Sequence, residues 1–237
     1  MKKWVFFCAF IFFGSGLLAQ PDSRQQTLDR AATAYLNTVR EESVLFYGAV
    51  QEAPPRATNH PYLEDAQYVP ARLSYGGVVY PEAMLRLDLK QHELIVLSPD
   101  QRQVVLFPEN VEEVELHGRR IVWHQPDGLP GCPTKGYYFL LHCGECRVLA
   151  RQTADLTRKN SSDNYALNYY IFTTRYYLLK DGRWQVIRSR RGWLNALQPF
   201  KKEVKQWAAE RRLSFRKSEE AYLTETIAAY EKFNGKP

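Results

Sequence analysis

The chain has 237 residues, 45 % of them hydrophobic and 14 % aromatic, with a formal net charge of +6 at pH 7. That length allows one β-rich domain with appendages or two small domains, and a sizeable core in either case. A surplus this small on a chain this size is no evidence for nucleic-acid binding by itself, and after the first residues no apolar run approaches the ~20 residues of a spanning helix.

Lys2 and Lys3 open the chain, Trp4 to Phe13 is apolar, and Gly14-Ser15-Gly16 precedes Leu17-Leu18-Ala19. A positive start, a short apolar run and a small-residue exit read as a signal peptide over 1–19, cleaved after Ala19. An uncleaved anchor is the alternative. Cys8 leaves with the signal, and loss of the two lysines lowers the net charge from +6 to +4.

Residues 24–47 carry Leu28, Ala31, Ala32, Tyr35, Leu36 and Val39 at helical spacing. The stretch 52–61 is too proline-rich for helix or central strand, and reads as a linker or an arm laid over the domain. Residues 20–61 are thus expected to form an N-terminal helix and a proline-rich arm.

From 62 to 190 the pattern is antiparallel β. Val78–Tyr80, Met84–Leu89, Leu94–Leu97, Val104–Phe107, Val114–Leu116 and Ile121–Trp123 alternate with compact polar breaks. Breaks that short exclude βαβ crossovers, which need a dozen or more residues, and leave a meander. After a Pro/Gly-rich loop (125–136) come Tyr137–Leu141, Arg147–Arg151, Tyr165–Leu179, long enough to predict a bend or bulge, and Trp184–Arg188. Asp181-Gly182 predicts a type I′ hairpin. Residues 191–237 become a helical tail: Trp193–Leu197, Lys201–Leu213, and Glu219–Phe233 with Ser218 as N-cap and Leu223, Ile227 and Tyr230 as its apolar face. The expected fold is mainly β with C-terminal helices (α+β): a curved antiparallel meander sheet or partial barrel, packed by two to three helices.

Phe46-Tyr-Gly48, Asn59-His-Pro-Tyr-Leu63, Gly77-Val-Val-Tyr80, Leu85-Arg-Leu-Asp-Leu89 and Glu93-Leu-Ile-Val96, with the Tyr-rich strand pair and the last two helices, resemble a family of uncharacterised exported proteins of Bacteroidetes-type Gram-negative bacteria. The resemblance covers most of the mature chain. It implies a β-rich fold and a place in the periplasm or at the outer-membrane periphery. It transfers no activity and no site residues, and it implies an ordinary hairpin turn at Cys143-Gly-Glu-Cys146.

Three cysteines remain in the mature chain, Cys132, Cys143 and Cys146. Strand-turn-strand context around Cys143 and Cys146 argues against a redox pair, which sits at a helix N-terminus. A two-residue turn would set the two opposite each other, so a structural disulfide between them, or from Cys132 to one of them, is expected. The alternative is a zinc site of Cys132, His142, Cys143 and Cys146. Cys146-Arg147 excludes the CxxCH attachment of haem.

No G-x-S-x-G or H-E-x-x-H motif is present, no catalytic residue is assigned and no cofactor is expected. His60, His92, His117, His124 and His142 fall mostly in turns or at strand ends, where a solvated histidine needs no function. Asp88 lies between Leu87 and Leu89, and the alternation of Leu85, Leu87 and Leu89 turns it to solvent; a carboxyl turned into a barrel instead would be a raised-pKa candidate, around which an enzyme site could be assembled.

Arg188, Arg190, Arg191, Lys201, Lys202, Lys205, Arg211, Arg212, Arg216 and Lys217 are interleaved with Trp193, Trp207 and Phe215. Glu203, Glu210, Glu219 and Glu220 interrupt them, as on a solvated helix face, with peripheral membrane contact the alternative and no nucleic acid expected. Tyr137, Tyr138, Tyr165, Tyr169, Tyr170, Tyr176 and Tyr177 place rings on both sides of their strands. One side would be core, and the other would be free to stack on a glycan or a partner strand. The functional expectation is a non-catalytic envelope protein binding a partner protein, or a glycan or lipid ligand, through an aromatic-rich sheet. The alternative is an enzyme with a site assembled from non-local residues, or a thiol or zinc site around Cys143 and Cys146.

Overall fold

The computed structural model describes residues 27–28, 44–160 and 166–235. The signal peptide read over 1–19 and most of the helix read over 24–47 lie outside those residues; of the latter, only helical Thr27–Leu28 and a 3-10 turn at Val44–Phe46 are described.

Eleven antiparallel strands form one open sheet: β1 (Ala49–Val50), β2 (Val69–Tyr75), β3 (Val78–Asp88), β4 (Glu93–Leu97), β5 (Gln103–Val105), β6 (Val111–Leu116), β7 (Arg119–His124), β8 (Gly136–Cys143), β9 (Arg147–Asn160), β10 (Ala166–Lys180) and β11 (Arg183–Ile187). Their order is β1-β5-β4-β3-β2-β6-β7-β8-β9-β10-β11. Two meanders, β2 to β5 and β6 to β11, therefore join where β6 pairs with β2, Leu73 opposite Val114.

Two apolar runs around Pro81 merge into the single strand β3. The break in register between Ala71↔Ala83 and Leu73↔Tyr80 puts two β3 residues, Pro81 and Glu82, opposite Arg72 alone. A bulge is where a strand can hold a residue with no N–H to donate. β10 pairs with β9 from 166 to 179 in unbroken register, so no bulge interrupts it. β8 pairs only with the first residues of β9, and β11 only with the last of β10, leaving the rest as a two-stranded ribbon. Asp181 (φ 51°) and Gly182 (φ 68°) make the hairpin turn as expected.

The sheet curls without closing. Ala154 in mid-β9 donates its N–H to Leu89 O at 3.1 Å, at the end of β3. The proline-rich arm reinforces this approach. The Asn59 amide bonds both the N–H (2.7 Å) and the carbonyl (2.9 Å) of Tyr170, and two residues later Pro61 O accepts from Leu89 N at 2.9 Å.

Helices α1 (Arg190–Ala196), α2 (Lys201–Glu210) and α3 (Glu219–Asn234) pack on the inner face. Ser189 caps α1 through Gly192 N, and Ser218 caps α3 through Ala221 N. Tyr222, Leu223, Thr226, Ile227 and Tyr230 form the buried stripe of α3, and full burial of Leu223 and Ile227 contributes about 1.5–3 kcal/mol each. Trp193 Nε1 donates to Thr226 Oγ1 at 2.9 Å, so the polar atoms in this contact are paired. A second, smaller cluster of Tyr138, Leu149, Tyr177 and Trp184 lies on the outer face of β8 to β11, beneath the 125–136 loop.

Candidate functional site

The Cys143–Cys146 turn is one residue longer than expected. Cys143 stands opposite Arg147, which leaves Gly144, Glu145 and Cys146 as a three-residue loop. Cys143 is exposed, Cys146 is 3 % exposed, and all three described cysteines are free thiols. The loop is organised by the last helix instead of by a disulfide. Glu231 of α3 accepts from Cys146 N at 2.7 Å and lies 2.9 Å from His142 Nε2, an ion-pair contact with poor hydrogen-bond direction. Burial, with Glu231 adding to it, pushes the Cys146 thiol up to about 11.

The candidate zinc ligands are not brought together. Cys132 packs with the outer cluster, Cys146 belongs to the inner core on the other side of the sheet, and His142 faces Glu231. Among the described residues no group of three or more His, Cys, Asp or Glu could hold a metal.

Asp88 is 1 % exposed and not solvent-facing as its flanking leucines suggest. The reason is that β3 is covered on both faces. Tyr62 pairs with Asp88 as an extra β-bridge, and the rings of Tyr62 and Tyr68 sandwich the Arg86 guanidinium at 3.8 and 4.2 Å. Burial raises the Asp88 pKa, partly offset by hydrogen bonds from Gln91 N (2.9 Å) and Lys90 N (2.7 Å). The carboxylate caps the β3–β4 turn, and Arg86 spends its donors on Ala66 O, Gln51, Tyr68 and Gln103. This is a structural polar network.

The paired tyrosines do project to opposite faces, Tyr137 into the inner core and Tyr138 into the outer cluster. Neither side is free for stacking, however. Tyr137, Tyr138, Tyr170, Tyr176 and Tyr177 are buried and Tyr169 is half-buried, while Tyr165 lies outside the described residues. The 125–136 loop covers the face that was expected to be open.

That loop builds the site. Asp127 Oδ2 accepts from Trp184 Nε1 at 2.9 Å, and Pro130 O accepts from Trp184 N at 2.9 Å, which fastens the loop to the edge of β11. Gly131 (φ 75°) passes so close that a Cβ would sit 2.4 Å from Trp184 O. The loop's far end forms one wall of a groove of about 450 Å³, with Cys132, Pro133 and Thr134 facing Arg151, Thr153, Asp155, Arg175, Tyr177 and Val186. A second depression of about 510 Å³ shares Arg175, Tyr177 and Val186 and extends the groove to Arg188 and Phe215.

Arg151 and Arg175 are direct cross-strand partners, so both guanidiniums rise from the same face. Arg151 donates to Thr134 Oγ1, to Tyr138 OH (3.2 Å) and to His92 Nε2 (3.3 Å), and none of these is a carboxylate. Gly136 makes room for it, since a Cβ there would lie 3.2 Å from Arg151 Nη2. The side chains of Arg175 and Arg188 make no ion pair or hydrogen bond among the described residues, although Asp155 lines the same groove. Burial, helped by Arg151, lowers the His92 pKa to about 4, so the ring is neutral. His92 accepts at Nε2 and therefore carries its proton on Nδ1, a buried atom without a hydrogen-bond partner among the described residues.

No family model, curated protein or solved structure matches this chain. What the groove can do follows from its own side chains. Guanidiniums lacking carboxylate partners, beside the hydroxyls of Thr134 and Thr153 and above an apolar floor of Tyr177 and Val186, suit a carboxylate, phosphate or sulfate carried on a partly apolar body. The other chemical element is Cys132, whose Sγ lies 3.4 Å from His124 Nε2. Burial raises the Cys132 pKa and lowers that of His124, leaving a neutral thiol beside a neutral imidazole, the reverse of an activated pair. Asp127 is bonded to Trp184 and not to the imidazole. Desolvation alone would raise its pKa, but hydrogen bonds to the carboxylate from Trp184 Nε1 (2.9 Å) and Leu129 N (3.0 Å) prevail and hold it at about 2.

Sequence reasoning missed both arginines and the Cys132–His124 contact. Arg151 closes a strand already legible in the sequence, and Arg175 sits inside another, but nothing local marks them as paired. His124 is buried, unlike the solvated histidine expected at a strand end.

Proposed function

We propose that this chain is an exported, non-catalytic binding protein of the cell envelope, whose outer groove takes an anionic ligand such as an acidic glycan. The observation that carries the reading is the Arg151–Arg175 pair: two guanidiniums opposed on one face, neither neutralised by a carboxylate among the described residues. Like charges directly opposite on a sheet destabilise it, and a ligand anion between them relieves that cost. The Lys2-Lys3 start and the apolar run to Phe13 support export, and the resemblance to exported envelope proteins agrees with it.

Titration calorimetry of the protein with uronic-acid oligosaccharides and their uncharged counterparts tests this reading. Binding of the acidic series alone is expected, weakened about tenfold or more by Arg175→Thr, in line with loss of a charge-assisted contact. Equal affinity for charged and neutral sugars, or an unaffected variant, would refute it.

A second reading has one observation in its favour, the 3.4 Å contact of Cys132 with His124. In that reading the groove is an active site with a thiol nucleophile. Rapid, stoichiometric alkylation of Cys132 at neutral pH, abolished by His124→Gln, would favour it over simple binding.

A further inference from the structure

Between Arg188 and Lys217 the chain carries ten cations and two carboxylates, Glu203 and Glu210. That surplus of eight exceeds the net +6 of the entire chain, so all remaining residues together are net −2. The segment spans α1, α2 and the loop leading to α3, which pack against one another as one layer over the inner face. Nine of the ten cations are exposed and Lys201 is half-buried. Three have side-chain partners, none of them acidic: Arg190 bonds Tyr222 OH, Lys201 bonds Asn195, and Arg211 lies over the Trp207 ring. The other seven make no ion pair or hydrogen bond through their side chains among the described residues. A solvated helix face pairs its charges along the helix, whereas here Glu203 and Glu210 lie among the cations and form no ion pair with them among the described residues.

We infer that this helical layer is a docking surface for an anionic lipid bilayer. Charge complementarity carries the argument, since clustered lysine and arginine lower the energy of a protein at an anionic headgroup layer and the effect adds with each cation. Apolar side chains flank the basic loop: Trp207, Leu213 and Phe215 pack against the core but are only half-buried, so part of each stays exposed beside the cations. A single-stranded nucleic acid is the less fitting polyanion. It needs open aromatic faces for stacking, and the Arg211 guanidinium already covers the Trp207 ring at 4.0 Å. This surface meets the groove at Arg188 and Phe215, and Lys202, Lys205, Arg216 and Lys217, the cations whose reversal tests the inference, do not line the groove.

The test is co-sedimentation of the full chain with vesicles of phosphatidylcholine alone and with about 30 % phosphatidylglycerol, the anionic fraction being what the basic layer should sense. The leading apolar run does not discriminate between headgroups, so the readout is the ratio of the two affinities. A preference of about tenfold or more for the anionic vesicles is expected, collapsing in about 1 M salt, where the screening length falls to about 3 Å. The double reversal Lys202→Glu/Lys205→Glu and, separately, Arg216→Glu/Lys217→Glu should each reduce that preference severalfold. Arg56→Glu/Arg158→Glu, which changes the net charge equally on exposed residues elsewhere, should leave it intact. Circular dichroism of each variant separates lost binding from lost fold. No preference for anionic vesicles, or equal losses from the basic-layer and control reversals, overturns the inference. So does tighter binding to an oligonucleotide than to the anionic vesicles at the same ionic strength.

Discussion

Arg151 and Arg175 face each other across β9 and β10, two cations where a sheet normally sets an opposite charge or an apolar pair. Only Arg151 is tied down, through Thr134, Tyr138 and His92. Arg175→Thr removes the repulsion and keeps a good strand former. It should stabilise the free protein by about 0.2–1 kcal/mol, a rise in Tm of about 0.4–4 °C at this chain length. Arg151→Ala should destabilise it by about 1 kcal/mol through its lost hydrogen bonds. Thermal melts without ligand check the opposite signs; a fall in Tm for Arg175→Thr would mean that its charge is compensated in the folded protein.

His92 gives stability a pH dependence of known sign. Burial first, then Arg151, lowers its pKa from 6.5 to about 4. As pH falls below 6.5 the unfolded chain takes up a proton there, while the folded protein resists until about pH 4. Stability is therefore lost across that window and levels off below it. The ring is partly solvent-exposed, so the loss is about 1–2 kcal/mol after screening. Asp88 has the opposite sign, its raised pKa giving a contribution that is lost as pH rises through the folded value. His92→Asn, which tolerates the positive φ of 57° at this position, should flatten denaturation midpoints between pH 6.5 and 4. An unchanged profile would place the titration elsewhere.

Asp88→Asn should raise Tm at neutral pH, because it keeps an acceptor for Lys90 N and Gln91 N and removes a buried charge. Asp88→Ala leaves both N–H groups without their acceptor and should cost about 1–3 kcal/mol. The reverse ranking of the two variants would show that the charge itself, through Arg86, holds the turn.

Gly131 and Gly144 both leave no room for a Cβ, with different consequences. At Gly131 the obstacle is the Trp184 backbone carbonyl, and the φ of 75° is itself unfavourable for alanine. Gly131→Ala should cost about 1–3 kcal/mol and open the groove wall. At Gly144 the obstacle is the end of the Glu231 side chain, which can rotate away at the expense of its bond to Cys146 N. That substitution should cost about 1 kcal/mol. Urea midpoints for the two variants give the comparison directly.

The three thiols should label in a fixed order. Cys143 is exposed and reacts first, while burial and raised pKa values delay Cys132 and Cys146. A thiol reagent under native conditions should modify one site quickly, and mass mapping should find it at Cys143. A rapid signal from two sites, or none, contradicts the arrangement.

The strand pattern was legible where one face is core and the other is wet. The Asp181-Gly182 turn, the Ser218 cap and the apolar stripe of α3 all stand where local chemistry puts them. The sequence misled wherever a distant segment covers the second face. Asp88 looks solvated until Tyr62 and Tyr68 arrive from twenty-odd residues upstream, and Tyr138 and Tyr177 look available until the 125–136 loop folds over them. Residues 152–160 of β9 carry no strand signal of their own, because Thr153, Asp155, Thr157 and their neighbours alternate weakly; their strand state comes from pairing with β10. The arginine pair follows from register alone, which no single-strand pattern contains.

The arm has a consequence for the order of folding. Thr58 and Asn59 find their partners at Asn168 and Tyr170, more than one hundred residues later. A chain emerging from a pore N-terminus first releases the arm long before the ribbon it crosses, so the arm waits, unstructured, until β10 has formed. Contacts at such sequence separation raise the contact order and slow the final step of acquisition. The first part of the domain to appear is among the last to be fastened.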